Sequence, residues 1–259
     1  MTNLPLRGRT AVVTGASRRG GIGVAIARRL LELGAVVLAQ GWTPHDAAMP
    51  WGADPDGPGA LLEELRQVGQ VEYVEADFAA PEAPAQVFQA AAQAFGHVDI
   101  LVANHARSGH GRLAGTSAGE LDKFLHENVR ATILLVQAFA AQHDGRPGGR
   151  VVMMTSGQHL APMPRELAYA VSKGAIEQAT ATLADELAER SITVNTVNPG
   201  PTDTGYPTPE LRAEVLARMP RGRWGEPADA ARLIGWLCTD EADWITGQVI
   251  NSEGGFRRA

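Results

Sequence analysis

The segment Thr10-Ala-Val-Val-Thr-Gly-Ala-Ser-Arg-Arg-Gly-Gly-Ile-Gly-Val-Ala-Ile-Ala-Arg-Arg-Leu-Leu-Glu-Leu-Gly34 decides the fold. Its first five residues are β-branched and apolar and run into glycines, the pattern of a buried parallel strand. Residues 24–33 repeat apolar positions at helical period, and Gly34 supplies a stop. Between strand and helix lies a loop with glycines at 15, 20, 21 and 23. Glycines let the backbone approach a pyrophosphate closely. The helix start behind them points N–H groups and the positive end of its dipole at the same place. A glycine loop alone is equally a tight turn; strand, loop and helix in this order point to a nucleotide cradle.

Outward from this unit the alternation continues. Strands are predicted at 35–39, 71–77, 99–103, 149–156, 191–197 and 247–251, and helices at 60–67, 84–95, 121–139, 169–189, 210–217 and 227–238. Strict β-α alternation predicts an α/β fold, one doubly wound parallel sheet covered by helices on both faces. No repeat or linker divides the chain, so residues 1–259 are read as one domain. Residues 41–60, rich in Pro, Gly and Asp and carrying Trp42 and Trp51, form a connection of unusual length. Such a loop is either functional or mobile. Its tryptophans either mark contacts or pack the loop onto its own domain.

The formal net charge of −6, with both signs interspersed, argues against a nucleic-acid or anionic-membrane partner. A single cysteine, Cys238, excludes an internal disulfide and reads as a small core residue. The first residues show no apolar signal segment and no run is long enough to span a bilayer, which leads to the expectation of a cytoplasmic protein. The histidines at 45, 97, 110, 126, 143 and 159 show no metal spacing and are assigned to surface or loop roles. His159, three residues past Ser156, either lines a substrate pocket or packs within its loop.

The chemistry concentrates between Ser156 and Lys173. Tyr169 and Lys173 are four apart on a predicted helix, hence on one face. A free phenol, with a pKa of about 10, is a poor acid-base catalyst at neutral pH. A neighbouring ammonium stabilises the phenolate, so Lys173 is expected to lower the Tyr169 pKa and make the phenol a proton donor and acceptor for an alcohol or carbonyl.

These motifs together resemble the short-chain dehydrogenase/reductase family, a Rossmann-type fold, over nearly the whole chain. The resemblance rests on Thr14-Gly15 through Gly21-Ile22-Gly23, Asp77, Asn104, Asn128, Ser156, Tyr169, Lys173, Pro199-Gly200 with Thr204, and Ile245-Thr-Gly-Gln. Thirteen residues separate Ser156 from Tyr169, as in the family. Bacterial 3-oxoacyl-[acyl-carrier-protein] reductase-like enzymes are the most similar group. The resemblance implies that Tyr169 is the general acid or base and that Lys173 tunes it and binds the nicotinamide ribose. It further implies that Ser156 holds the substrate oxygen and Asn128 a water leading from Lys173 to solvent. Gly15, Ser17, Arg18, Arg19, Gly21, Ile22, Gly23, Asp77, Asn104, Pro199, Gly200, Thr202 and Thr204 would join Tyr169 and Lys173 in holding the dinucleotide. Two departures stand out. Arg18-Arg19-Gly20 lengthens the glycine loop by two residues, and Ala103-Asn104-His105-Ala106 stands where the family has Asn-Asn-Ala-Gly, with only Asn104 matching.

A carbonyl or alcohol substrate is expected under residues 203–222, and a homotetramer built on the helices around Asn128 and Tyr169. NADPH is expected over NADH: the second strand ends in Gln40-Gly41, with no carboxylate for a ribose hydroxyl, and Arg18 and Arg19 suit a 2′-phosphate. As surface charges both arginines would simply be solvated, and Asp46 could fold back toward the ribose. The competing reading is a dinucleotide sensor without turnover. The joint presence of Asn128, Ser156, Tyr169 and Lys173 favours the enzyme.

Overall fold

The computed structural model describes residues 4–258. Seven strands form one sheet: β1 (Thr10–Val13), β2 (Val36–Gly41), β3 (Val71–Glu75), β4 (Ile100–Ala103), β5 (Gly149–Met154), β6 (Ile192–Asn198) and β7 (Val249–Asn251). Their order is β3-β2-β1-β4-β5-β6-β7, and every pairing is parallel. The chain winds outward from β1 to β3, then crosses back to β4 on the other side of β1. The strand order therefore reverses between β1 and β4, where the crevice for a ligand opens at the carboxyl ends.

The helices are α1 (Ile22–Glu32), α2 (Thr43–Ala48), α3 (Gly57–Arg66), α4 (Ala83–Phe95), α5 (Ala118–Phe124), α6 (Ala131–Gln142), α7 (Leu167–Ala188), α8 (Pro209–Ala217) and α9 (Pro227–Leu237). Two apolar layers flank the sheet. One joins α1, α3 and α9 through Ile26, Leu30, Leu61 and Ile234. The other joins α4, α6 and α7 through Val87, Leu135, Phe139 and Ile176. Strands such as Thr10–Val13 are buried at every residue, which is why they read as continuous rather than alternating apolar runs.

The structure departs from the sequence reading in three places. The 41–60 connection is not a bare loop: it contains α2, and α3 begins at Gly57. The single helix expected over 121–139 is α5 and α6 joined by a π-helical turn at Leu125–Arg130. Wide turns of this kind are frequent at functional sites, and this one carries Asn128. His143, assigned to the surface, is buried against the Phe139 ring at 5.5 Å. Cys238 is buried at the end of α9, and burial pushes its thiol up to about 12, so it is an inert core group. Among the described residues, no helix is long and apolar enough to cross a membrane.

Candidate active site

At the reversal point a buried hydrogen-bond cluster locks β1 to β4. The Thr14 hydroxyl accepts from the backbone N–H of Asn104 (3.0 Å) and of His105 (3.2 Å). The Asn104 amide donates to the carbonyls of Thr14 (3.0 Å) and Gly15 (3.1 Å). His105 Nδ1 lies 2.8 Å from the Thr14 hydroxyl and Nε2 lies 3.0 Å from the Glu127 carbonyl. The tautomer that serves both partners carries its proton on Nε2. Burial, followed by the charge of Lys173, pushes the imidazole down to about 3, so His105 is a neutral strut. It replaces a small family residue without disturbing the Asn104 contact.

This cluster sets the glycine loop. Gly15 adopts φ +68°, and a Cβ on Gly23 would lie 2.2 Å from the Gly15 carbonyl oxygen. Only glycines let loop and helix approach this closely. The Gln40 side chain accepts from Gly15 N–H (3.1 Å) and donates to the Ala76 carbonyl (2.8 Å). The end of β2 is thereby spent on holding the loop. A groove of about 250 Å³ opens here, lined by Gly15, Ser17, Arg18, Gly21 and Ile22 of the loop and helix start and by Asp77, Asn104 and Thr204. A glycine cradle at the start of α1 with no side chain in the way fits a dinucleotide pyrophosphate.

Sequence reading missed part of this wall. Trp42, His45, Trp51, Arg107 and Glu127 also line the groove. No motif marks them; Trp42 and Trp51 alone had a signal, in the odd composition of their loop. Asp46 does fold back: it is buried on the same wall and accepts from the Ser17 hydroxyl at 2.5 Å. Arg19 does not reach the groove. Its guanidinium pairs with Glu64 on α3 at 2.7 Å and lies near Asp54 and Asp56. Pro199, Gly200 and Thr202 lie beneath rather than on the wall. Gly200 turns at φ +66°, and the Thr202 hydroxyl donates to the carbonyls of Pro199 and Gly200, a turn that delivers Thr204.

The Ser156, Tyr169 and Lys173 cluster sits beside the groove, outside its lining. β5 and α7 position it. The Thr155 hydroxyl donates to the Lys173 carbonyl (3.0 Å), and the Lys173 ammonium donates to the Met154 carbonyl (3.0 Å). Lys173 Nζ is 5.8 Å from the centroid of the Tyr169 ring. The expected lowering of the phenol pKa is not found. Burial raises Tyr169 to about 12, a contact with the Ser156 hydroxyl offsets part of this, and Glu166 and Tyr206 push the same way as burial. Desolvation penalises the phenolate more than the turned-away ammonium stabilises it. Burial also lowers Lys173, to about 8.

Asn128 holds these elements together. Its Oδ1 accepts from Arg107 N–H (2.7 Å), and its amide donates to the Arg107 carbonyl (2.9 Å) and the Ser172 hydroxyl (2.9 Å). Both amide hydrogens are used, so the side chain is a clamp between the π-helical turn and α7, with only an oxygen lone pair left for a water. His159 pairs with Glu177 on α7 at 3.1 Å. Among the described residues, no group of three or more His, Cys, Asp or Glu side chains is placed to hold a metal.

A family profile described as enoyl-(acyl carrier protein) reductase, of the short-chain dehydrogenase type, matches residues 15–257. The chain belongs to the short-chain dehydrogenase/reductase family. Oxidoreductase YjdA of Bacillus subtilis is 40% identical over 251 residues, 96% of each chain. An NADPH-dependent aldehyde reductase-like chloroplastic protein of Arabidopsis thaliana is 35% identical, covering 98% of this chain and 96% of its own. Among solved structures, a short-chain dehydrogenase of Burkholderia cenocepacia in complex with NADP superposes with a TM-score of 0.85 at 32% identity, covering 97% of this chain and 98% of that one. A short-chain dehydrogenase/reductase from Serratia marcescens gives 0.86 at 33%, with 97% and 99% covered. The protein is thus an NAD(P)-dependent oxidoreductase of this family.

The depressed Lys173 amine has a measurable signature. In the folded protein it loses its proton near 8, in the unfolded chain near 10.5. Between these values the unfolded state binds the extra proton, so folding stability rises with pH. Urea denaturation from pH 7.5 to 10.5 is expected to show this rise in the parent relative to Lys173→Met, a difference in which the buried phenols cancel. Parallel profiles for the two proteins would contradict a depressed amine.

Proposed function

We propose that this family member reduces a carbonyl compound with NADPH, Tyr169 delivering the proton. The carrying observation is Tyr169 set one helical turn before a buried Lys173 on α7, with the Ser156 hydroxyl offsetting part of the rise in the phenol pKa. When bound, the cofactor supplies the hydride. Negative charge then develops on the substrate oxygen, and the two hydroxyls aimed there stabilise it as donors. A phenol that stays protonated through the neutral range suits proton delivery, hence reduction rather than oxidation. Lys173 binds the nicotinamide ribose, while Asn128 fixes α7. The dinucleotide lies in the groove formed by Gly15, Ser17, Gly21, Ile22, Asp77, Asn104 and Thr204, underpinned by Gly23, Pro199, Gly200 and Thr202.

Residues 203–222 form the substrate segment. Tyr206 near Tyr169 and the half-exposed Leu216 give it an apolar underside for mid-sized ketones, aldehydes or 3-oxoacyl thioesters. The NADPH preference draws support from three features. Gln40 offers no carboxylate, Arg18 on the groove wall has no carboxylate partner among the described residues, and an NADP complex stands among the structural relatives. Asp46, held by Ser17, opposes it. The reading includes a homotetramer, supported by apolar surface on the helices near the site and at the sheet edge. Val171 on α7 and Leu125 in the π-helical turn are exposed, and Trp244 beside edge strand β7 is 98% exposed. Val136 on α6 packs inside its own core and adds nothing to such a surface. A cytoplasmic setting without nucleic-acid partners completes the reading.

Three measurements test it. Tyr169→Phe is expected to lose at least a thousandfold in kcat toward test ketones while binding NADPH within about threefold of the parent. Activity within tenfold of the parent would remove Tyr169 from the mechanism. The ratio of kcat/KM for NADPH over NADH is expected to exceed one and to fall about tenfold or more in Arg18→Ala, the loss of one charge-assisted hydrogen bond. Equal or better use of NADH by the parent refutes the preference. Light scattering is expected to report four subunits; a stable monomer refutes the assembly.

A further inference from the structure

The lengthened glycine loop and the long connection after β2 touch each other. The lengthened glycine loop contributes Arg18 and Arg19, and the long connection after β2 contributes Trp51, Asp54 and Asp56. The Arg19 backbone N–H donates to the Asp54 carboxylate at 2.6 Å, which ties the two segments together at the back. In front, the Arg18 guanidinium lies 5.5 Å over the Trp51 ring and donates to the Thr204 carbonyl at 2.8 Å. The contact then runs on into the substrate segment. Trp51 meets Tyr206 edge to face at 6.5 Å, and Tyr206 meets Trp224 at 6.2 Å. The Trp224 indole N–H donates to the Arg212 carbonyl at 3.0 Å, and Arg212 pairs with Asp203 at 2.5 Å.

The segment gripped this way is anchored at its ends, by the Asp203 N–H bond to the Gly225 carbonyl and by buried Met219 with the Arg257 N–H bond to the Arg218 carbonyl, but its middle is loosely held. α8 buries none of its residues. Elements with few buried contacts open at low free-energy cost. Arg18 and Thr204 both line the dinucleotide groove, and the hydrogen bond between them joins the glycine loop to the substrate segment there. A contact that holds these two segments together resists their parting, and so slows the departure of a dinucleotide from the groove. We infer that Trp51 is a positioning residue that latches the 203–222 segment onto the glycine loop and so sets the rate at which the cofactor departs. The Trp51 indole nitrogen is buried without an acceptor, so the ring faces rather than the N–H do the gripping. A phenyl ring would serve as well.

The inference rests on the dinucleotide reading of the groove, and the test is a binding measurement that needs no turnover. NADPH release is followed by stopped-flow nicotinamide fluorescence in the parent, Trp51→Ala, Tyr206→Ala, the double variant and Trp51→Phe. Trp51→Ala and Tyr206→Ala are each expected to release NADPH about tenfold faster, the change from losing an aromatic pair or a cation–π contact. The double variant is expected to be no faster than the quicker single, because both cut the same latch. Trp51→Phe is expected to stay within twofold of the parent. A purely structural role would not be rescued by Phe in release rate alone. Release within twofold of the parent in both alanine variants, or effects that multiply in the double variant, overturns the latch. If Trp51→Ala does not fold, Tyr206→Ala with Trp51→Phe decides the matter. A parent that binds neither NADPH nor NADH overturns the cofactor reading, and the latch falls with it.

Discussion

The buried bond cluster around the Thr14 hydroxyl is the constraint on which the rest of the site depends. A parallel sheet that reverses its strand order leaves two strand ends side by side with no crossover to cover them. Their backbone groups need partners, since an unpaired buried group costs about 1–3 kcal/mol. Thr14, Asn104 and His105 satisfy them from within. In doing so they bring the Gly15 carbonyl to the Asn104 amide and fix the height of the loop above the sheet. Glycine at 23 lets α1 come down onto that loop. The groove is therefore built from the sheet upward, and its floor is rigid before any ligand arrives.

Much of this was legible in the sequence because it depends on backbone. Glycine positions, strand ends and the spacing of Tyr169 and Lys173 follow from local geometry, and local geometry follows from residue type. The misreadings share a different origin. Arg19 was read by its charge, but its partners Asp54, Asp56 and Glu64 arrive from 35 or more residues along the chain. The phenol of Tyr169 was read beside one ammonium, without the low-dielectric wall formed by the fold around it. For His159 the sequence left two placements open, and its partner Glu177 comes from the next helix. What the sequence withholds is the identity of neighbours that only tertiary packing supplies.

The electrostatics of the site reflect one trade. Burial raises the phenol and lowers the amine, so both side chains are driven toward their neutral forms. A neutral, donor-ready phenol is the state needed to meet a nascent alkoxide. The neutral His105 nearby continues the pattern, adding a polar strut without another positive charge next to Lys173.

The π-helical turn between α5 and α6 has a consequence for how this chain can vary. An α-helix advances about 100° per residue, from 3.6 residues per turn, and a π-helical turn covers about the same rotation with one residue more. Excising one residue from Leu125–Arg130 would therefore leave a continuous helix in which Thr132, whose hydroxyl donates to the Asn128 carbonyl, and Leu135 and Phe139 keep their phase on the sheet. What the deletion would remove is the wide turn itself, from which Asn128 bonds Arg107 and Ser172. The extra residue thus re-aims one side chain while the packing of the helix on either side is spared.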